Sequence, residues 1–124
     1  MKVLTDATNI LGGKLQECCC LTNTGIFRDG FCHTNKYDYG IHSVCAKVTD
    51  EFLLFSKAQG NDLITPQPDY KFPGLKPGDK WCLCASRWLE AHQFERAPNI
   101  IAAATHIKTL EVIDLEILKP YFTD

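Results

Sequence analysis

GDKWCLCASRW, residues 78–88, passes from an apolar strand straight into a helix. Trp81–Ala85 is apolar at every position, which predicts a strand covered on both faces. Ser86 can cap a helix that runs on through Ala97 and must stop near Pro98. Residues two apart on a strand share a face, so Cys82 and Cys84 are expected to present their sulfurs together. Arg87 falls in the first turn of the helix, where a cation opposes the helix dipole.

Upstream, Ile41–Val48 (IHSVCAKV) is rich in β-branched residues and is a second strand candidate. It ends at Thr49, which opens the clearest helix of the chain: Thr49 caps, while Asp50 and Glu51 complement the positive end of the dipole. Phe52, Phe55 and Ala58 recur at helical spacing, Leu53 and Leu54 widen the apolar stripe, and Gly60 is a left-handed terminator. Downstream, Asn99–Thr105 (NIIAAAT) is a third strand candidate that three alanines leave ambiguous with helix. A short helix capped by Asp114 closes the chain, with Leu115, Leu118 and Phe122 facing inward.

The first third, from Asn9 to Tyr39, is dense in Gly, Asn and Asp and reads as loops and short extended pieces. Residues 60–80 hold four of the six prolines and three of the eight glycines. That composition suits a long, stiff, ordered loop running as a belt across the core. Together these elements predict one α+β domain over residues 1–124, a small mixed or antiparallel sheet with helices packed on one face in two layers.

Composition narrows the function classes. The 124 residues carry a formal net charge of −2, with acids and bases interspersed. No basic run points to nucleic acid or anionic membrane, so neither is an expected partner. No stretch reaches the ~18 apolar residues of a membrane span, and no apolar N-terminal run resembles a signal peptide, which predicts a cytoplasmic protein. There are seven cysteines. Their odd number, the missing secretory signal and the run Cys18-Cys19-Cys20 argue against a disulfide framework, so the thiols are expected to be reduced.

Several residues carry candidate chemistry. Cys82 and Cys84, side by side, could clamp a soft metal or act as a thiolate nucleophile, or could be small hydrophobes in a buried strand. The pair has no partner pair at the usual zinc spacing. A metal could also draw on Cys45, or on the triple cysteine with Cys32, His33 or His42. His42 and Cys45, three apart, need a turn to meet. Arg87 calls for compensation, either by an anionic ligand at the helix start or by a structural pair with Asp29, Asp62 or Asp79. Arg28 and Asp29 on a turn could supply polar groups to the same cleft.

TGIFRDGFC (24–32), GIHSVCAKVTDEFLLFSKAQGNDLITP (40–66), FPGLKPGDKWCLCASRWLEA (72–91) and AATHIKTLE (103–111) together resemble domain-of-unknown-function family 2237 over Asn9 to about Leu118. The resemblance implies a single-domain α+β fold and no particular reaction, substrate or cofactor. Its pattern includes Arg28, Asp29, Gly30, His42, Cys45, Asn61, Asp62, Trp81, Cys82, Cys84, Arg87, Trp88 and His106. The triple cysteine departs from it, since one cysteine is expected there.

Three function classes follow. The first is binding of a small anionic or polar ligand in one cleft, using Arg87, Arg28, Asp29, His42 and Asn61, with no cofactor assigned. The second is an enzyme using a cysteine thiolate or soft metal at Cys82 and Cys84, with His42 and Cys45 as further candidates. The third is an interaction module in which the belt from Thr65 to Pro77 offers Tyr70 and Phe72 to a partner protein.

Overall fold

The computed structural model describes residues 7–19, 29–70 and 72–123. It contains a four-stranded mixed sheet and three α-helices, an α+β fold. In chain order these are β1 (Val44–Lys47), α1 (Asp50–Ala58), β2 (Lys80–Leu83), α2 (Ala85–Gln93), β3 (Asn99–Ile101), α3 (Leu115–Leu118) and β4 (Phe122–Thr123). The sheet order is β2-β1-β3-β4, with β1 antiparallel to both neighbours and β3 parallel to β4.

Side chains alternate across a strand, and here the alternation separates two kinds of core. Val44 and Ala46 of β1, Leu83 of β2 and Ile100 of β3 join the main apolar core with Phe52 and Leu53 of α1 and Trp88 and Ala91 of α2. Cys45 and Cys82, the residues between, point the other way into a second cluster with Cys18, Cys32 and Ala104. Cys45 and Cys82 are direct cross-strand partners. The helices therefore cover one face of the sheet, and cysteine-bearing loops cover the other.

Local chemistry sets the helices. The Thr49 side chain accepts from the Phe52 amide at 3.1 Å, and Asp50 and Glu51 fill the first turn of α1. Its buried face is Phe52, Leu53 and Ser56, whereas Leu54 is exposed. Trp88 anchors α2: it is fully buried, its indole N–H donates to the Pro98 carbonyl at 3.0 Å, and Tyr121 meets it edge-on. Within the proline-rich stretch, Leu63, Phe72 and Leu75 are buried, and Phe72 meets Trp81 edge-on at 5.0 Å.

Four local expectations are corrected. Strand β2 ends at Leu83, and Cys84, not Ser86, occupies the N-cap position of α2. The helix stops at Gln93, before Pro98. Strand β3 covers only Asn99–Ile101, because the alanines that follow, which fit a pleated sheet poorly, turn into a 3₁₀ helix over Ala102–Ala104.

The expectation of reduced thiols is also corrected. Cys18 is bonded to Cys45 and Cys32 to Cys82, with Cα separations of 5.7 Å and 5.2 Å. Both lie within the range a disulfide requires. Folding brings together cysteines 27 and 50 residues apart, which counting and local spacing cannot foresee. No described helix is long and apolar enough to cross a membrane.

Candidate functional site

The end of β2 and the loop before β1 meet at Gly40. Cys84 stands where the strand becomes helix, with its Sγ 2.8 Å from the Gly40 carbonyl and 3.1 Å from the Ser86 hydroxyl. An atom at the Cβ position of Gly40 would lie 2.9 Å from His42 Cε1 and 3.2 Å from Cys84 Sγ. Imidazole and thiol therefore both border the space that a Gly40 side chain would fill, and glycine leaves that space open.

Asp38 holds the loop that carries His42. Its Oδ1 is 2.6 Å from His42 Nδ1, and its Oδ2 accepts from the His42 amide at 2.8 Å and the Thr34 hydroxyl at 3.0 Å. The Asp38 side chain is 5% exposed, against 45% for His42. Burial pushes the Asp38 carboxyl up, but the hydrogen bonds from the His42 amide, the His42 ring and Thr34 outweigh it and hold the group below its ordinary value. An ionised carboxylate only accepts, so His42 Nδ1 carries the proton and Nε2 remains the basic nitrogen.

Between Gly40 and His42, Ile41 has φ +50°. A β-branched residue in the left-handed region is strained, and such strain persists where surroundings enforce it. Two hydrogen bonds do so: the Ile41 carbonyl accepts from the Ala85 amide at 3.0 Å and the Ser43 amide at 2.7 Å. The strained residue thus ties the His42 loop to the start of α2. The first-turn amides of a helix lack intrahelical acceptors. With Ala85 committed to Ile41, those of Ser86 and Arg87 follow in the turn beside the thiol. Tyr37 and Tyr39, on the same loop, are 72% and 92% exposed.

The remaining sequence candidates disperse. Cys82 lies in the disulfide cluster and does not share a face with Cys84, because the strand ends between them. Cys45 is bonded to Cys18. Arg87 pairs with Glu90 at 3.3 Å and donates to the Gln59 carbonyl at 3.1 Å. It does not pair with Asp29, Asp62 or Asp79, each of which accepts from amides of its own turn. The Asp29 carboxylate also sits 3.9 Å from His33. Asn61 serves the end of α1 through its backbone, its amide donating to Ser56 and its carbonyl accepting from the Ser56 hydroxyl. Arg28 lies outside the described residues. An open groove lined by Leu11, Gln16, Ile101–Ala103, Phe122 and Thr123 touches none of the predicted site residues.

Of the predicted residues, Cys84 and His42 are brought together. Asp38, which sequence reading passed over, completes the group. Its signal was the four-residue interval to His42 in a turn-forming stretch, NKYDYG, but that interval alone does not distinguish a turn aspartate from a histidine partner.

The chain belongs to a family described as "Uncharacterized protein conserved in bacteria" (DUF2237), whose model matches residues 8–122. No curated protein matches it.

Proposed function

We propose that this member of the family is a thiol-dependent enzyme of the acyl-transfer type, with Cys84 as nucleophile, His42 as general base and Asp38 as the residue that positions His42. The observation that carries this reading is the convergence of the Cys84 thiol and the Asp38-held His42 ring on Gly40. His42 takes the thiol proton, the thiolate attacks a carbonyl carbon, and the protonated imidazole then delivers a proton to the leaving group. Water, activated by the same imidazole, releases the acyl group from the thioester. The first turn of α2 starts beside the thiol, and its amides and the positive end of the helix would favour the oxyanion that develops there.

Arg87, one turn further along α2, supports a second element of the reading, a preference for small substrates that carry an anionic or polar group. A substrate carboxylate would exchange with Glu90 for the guanidinium. Cys84 belongs to neither disulfide, which leaves its thiol for this role.

Incubation with an activated ester such as p-nitrophenyl acetate tests the assignment. Mass analysis is expected to find acetyl on Cys84. Turnover should vanish in Cys84→Ala and fall roughly 10²- to 10⁴-fold in His42→Ala, the range for loss of a general base. Acylation elsewhere, or His42→Ala with wild-type turnover, would overturn it.

A further inference from the structure

The second cluster places four sulfurs, from Cys18, Cys32, Cys45 and Cys82, on the face of the sheet away from the helices. We propose that these four cysteines, when reduced, form a tetrathiolate site for a soft divalent cation of the zinc type, and that the two disulfides are its oxidised, metal-free form.

Geometry is the first support. The sulfurs of Cys18, Cys32 and Cys82 all lie within 4.8 Å of one another. The fourth, Cys45, is bonded to Cys18 and stands opposite Cys82 in the β1–β2 register. Tetrahedral zinc with ~2.3 Å bonds to sulfur needs sulfurs roughly 3.8 Å apart. Three of the four sulfurs thus already lie near that spacing, and Cys45 joins them by opening its bond to Cys18.

Scaffolding is the second. Cys45 and Cys82 sit on paired strands of the sheet. The loops bearing Cys18 and Cys32 are joined without the disulfides, since the Gly30 carbonyl accepts from the Cys18 amide at 2.7 Å and the Cys19 amide at 3.1 Å. Gln16 is tied to Ala103 and Cys45 to the Thr105 hydroxyl. The four thiols therefore stay gathered when the S–S bonds are broken, two on a rigid sheet and two on loops free to adjust.

Burial is the third. The four residues are at most 4% exposed, the closed environment of structural zinc sites. Reduced thiols packed this tightly cannot ionise together unless a cation offsets the charge, and thiolates prefer a soft one.

The exchange balances. Two equivalents of a dithiol reductant supply four electrons, cleave both disulfides and become two cyclic disulfides. One Zn²⁺ binds the four thiolates and the four thiol protons pass to solvent. In reverse, two equivalents of a peroxide take four electrons from the thiolates, re-form both S–S bonds, consume four protons and release four waters and the metal.

The test is a titration of the full-length chain with Co²⁺ and Zn²⁺, reduced and kept free of oxygen, beside the oxidised chain. The expected result is one Co²⁺ per reduced chain, with the intense visible bands of tetrahedral cobalt and the sulfur-to-metal absorption of four thiolates. Zn²⁺ should displace it, two equivalents of hydrogen peroxide should release the Zn²⁺, and the oxidised chain should bind none. Cys45→Ser should weaken Co²⁺ binding by more than the roughly 10- to 100-fold that loss of an outer-shell partner brings. Cys84→Ser should bind Co²⁺ as wild type does, which separates this site from the thiol of the proposed enzyme. Folding of each reduced chain is followed by near-ultraviolet circular dichroism. A folded reduced chain that takes up no Co²⁺, or shows an octahedral spectrum with fewer than three thiolates, overturns the proposal. So does a reduced chain that is unfolded and that neither Zn²⁺ nor Co²⁺ refolds.

Discussion

Replacing Gly40 by alanine separates the arrangement around Cys84 from mere proximity. The backbone of Gly40 is not in the left-handed region, so alanine meets no conformational penalty there. The added methyl would stand 2.9 Å from His42 Cε1 and 3.2 Å from Cys84 Sγ, closer than such contacts settle. The His42 side chain is 45% exposed and can swing outward. The stability cost should thus fall at the low end of the overpacking range, about 1 kcal/mol. For a chain this size that is a fall in Tm of roughly 3–5 °C. Reactivity should suffer more, because a displacement on the order of 1 Å at a reacting pair costs about 100-fold. The assay is alkylation of Cys84 by iodoacetamide, followed by peptide mass so that other thiols do not interfere, beside turnover of an activated ester. Gly40→Ala should depress both rates. In a His42→Ala background it should depress neither further, since non-additivity marks a shared partner. Equal losses in both backgrounds mean that the methyl only shields the sulfur, and that result refutes the pairing of Cys84 with His42.

Three further outcomes follow from the fold. Thr105 is fully buried, donates to the Ile101 carbonyl at 2.9 Å and accepts from the Cys45 amide at 3.1 Å, so Thr105→Val should cost about 1–3 kcal/mol in urea unfolding; a loss below 0.5 kcal/mol would show those bonds to be replaceable. Burial, His33 and Lys108 hold the His106 imidazole below its ordinary value, so the folded state binds its proton less readily than the unfolded chain. The resulting stability is complete above the unfolded value, about 6.5, and is lost as pH falls through the folded one. His106→Asn, which can keep an acceptor for the Lys108 amide, should flatten the fall in Tm below that pH, and an unchanged slope would count against it. Cys32 and Cys82 close a loop of 50 residues, for which chain entropy gives about 4 kcal/mol; Cys32→Ala in oxidised, metal-free protein should lose an amount of that order in chemical unfolding, and no loss would mean that the bond constrains little.

Helix α1 was fully legible because its start and stop are local: Thr49 caps, two acids follow, and Gly60 adopts φ +95° beyond the end. Helix α2 was expected in the right place, but its cap was not Ser86 and it ends at Gln93, short of Ala97. Ser86 has the better capping side chain, yet the Ala85 amide is taken by the Ile41 carbonyl, which starts the helix at Ala85 with Cys84 before it. That acceptor lies 44 residues upstream, and its exposure depends on the strained φ of Ile41. Local preference cannot report either fact. Asp38 was missed for a related reason. Aspartate in a turn normally serves its own backbone, and only the folded loop shows it serving His42 as well.

The reading of GDKWCLCASRW turned on strand parity, and parity explains both success and failure. Cys82 alternates with Leu83 and Trp81, so it faces away from the helices, where its register with Cys45 and the nearby loops builds the sulfur cluster. Had β2 continued for one more residue, Cys84 would have faced the same cluster and added a fifth buried sulfur. It does not, because the backbone leaves the sheet after Leu83, and the sulfur of Cys84 turns to the Gly40 carbonyl instead. A single step at the end of a strand thus gives neighbouring cysteines opposite chemistry. Cys82 is held inside a closed cluster of sulfurs. Cys84 opens a helix beside a half-exposed imidazole, suited to bonds that form and break.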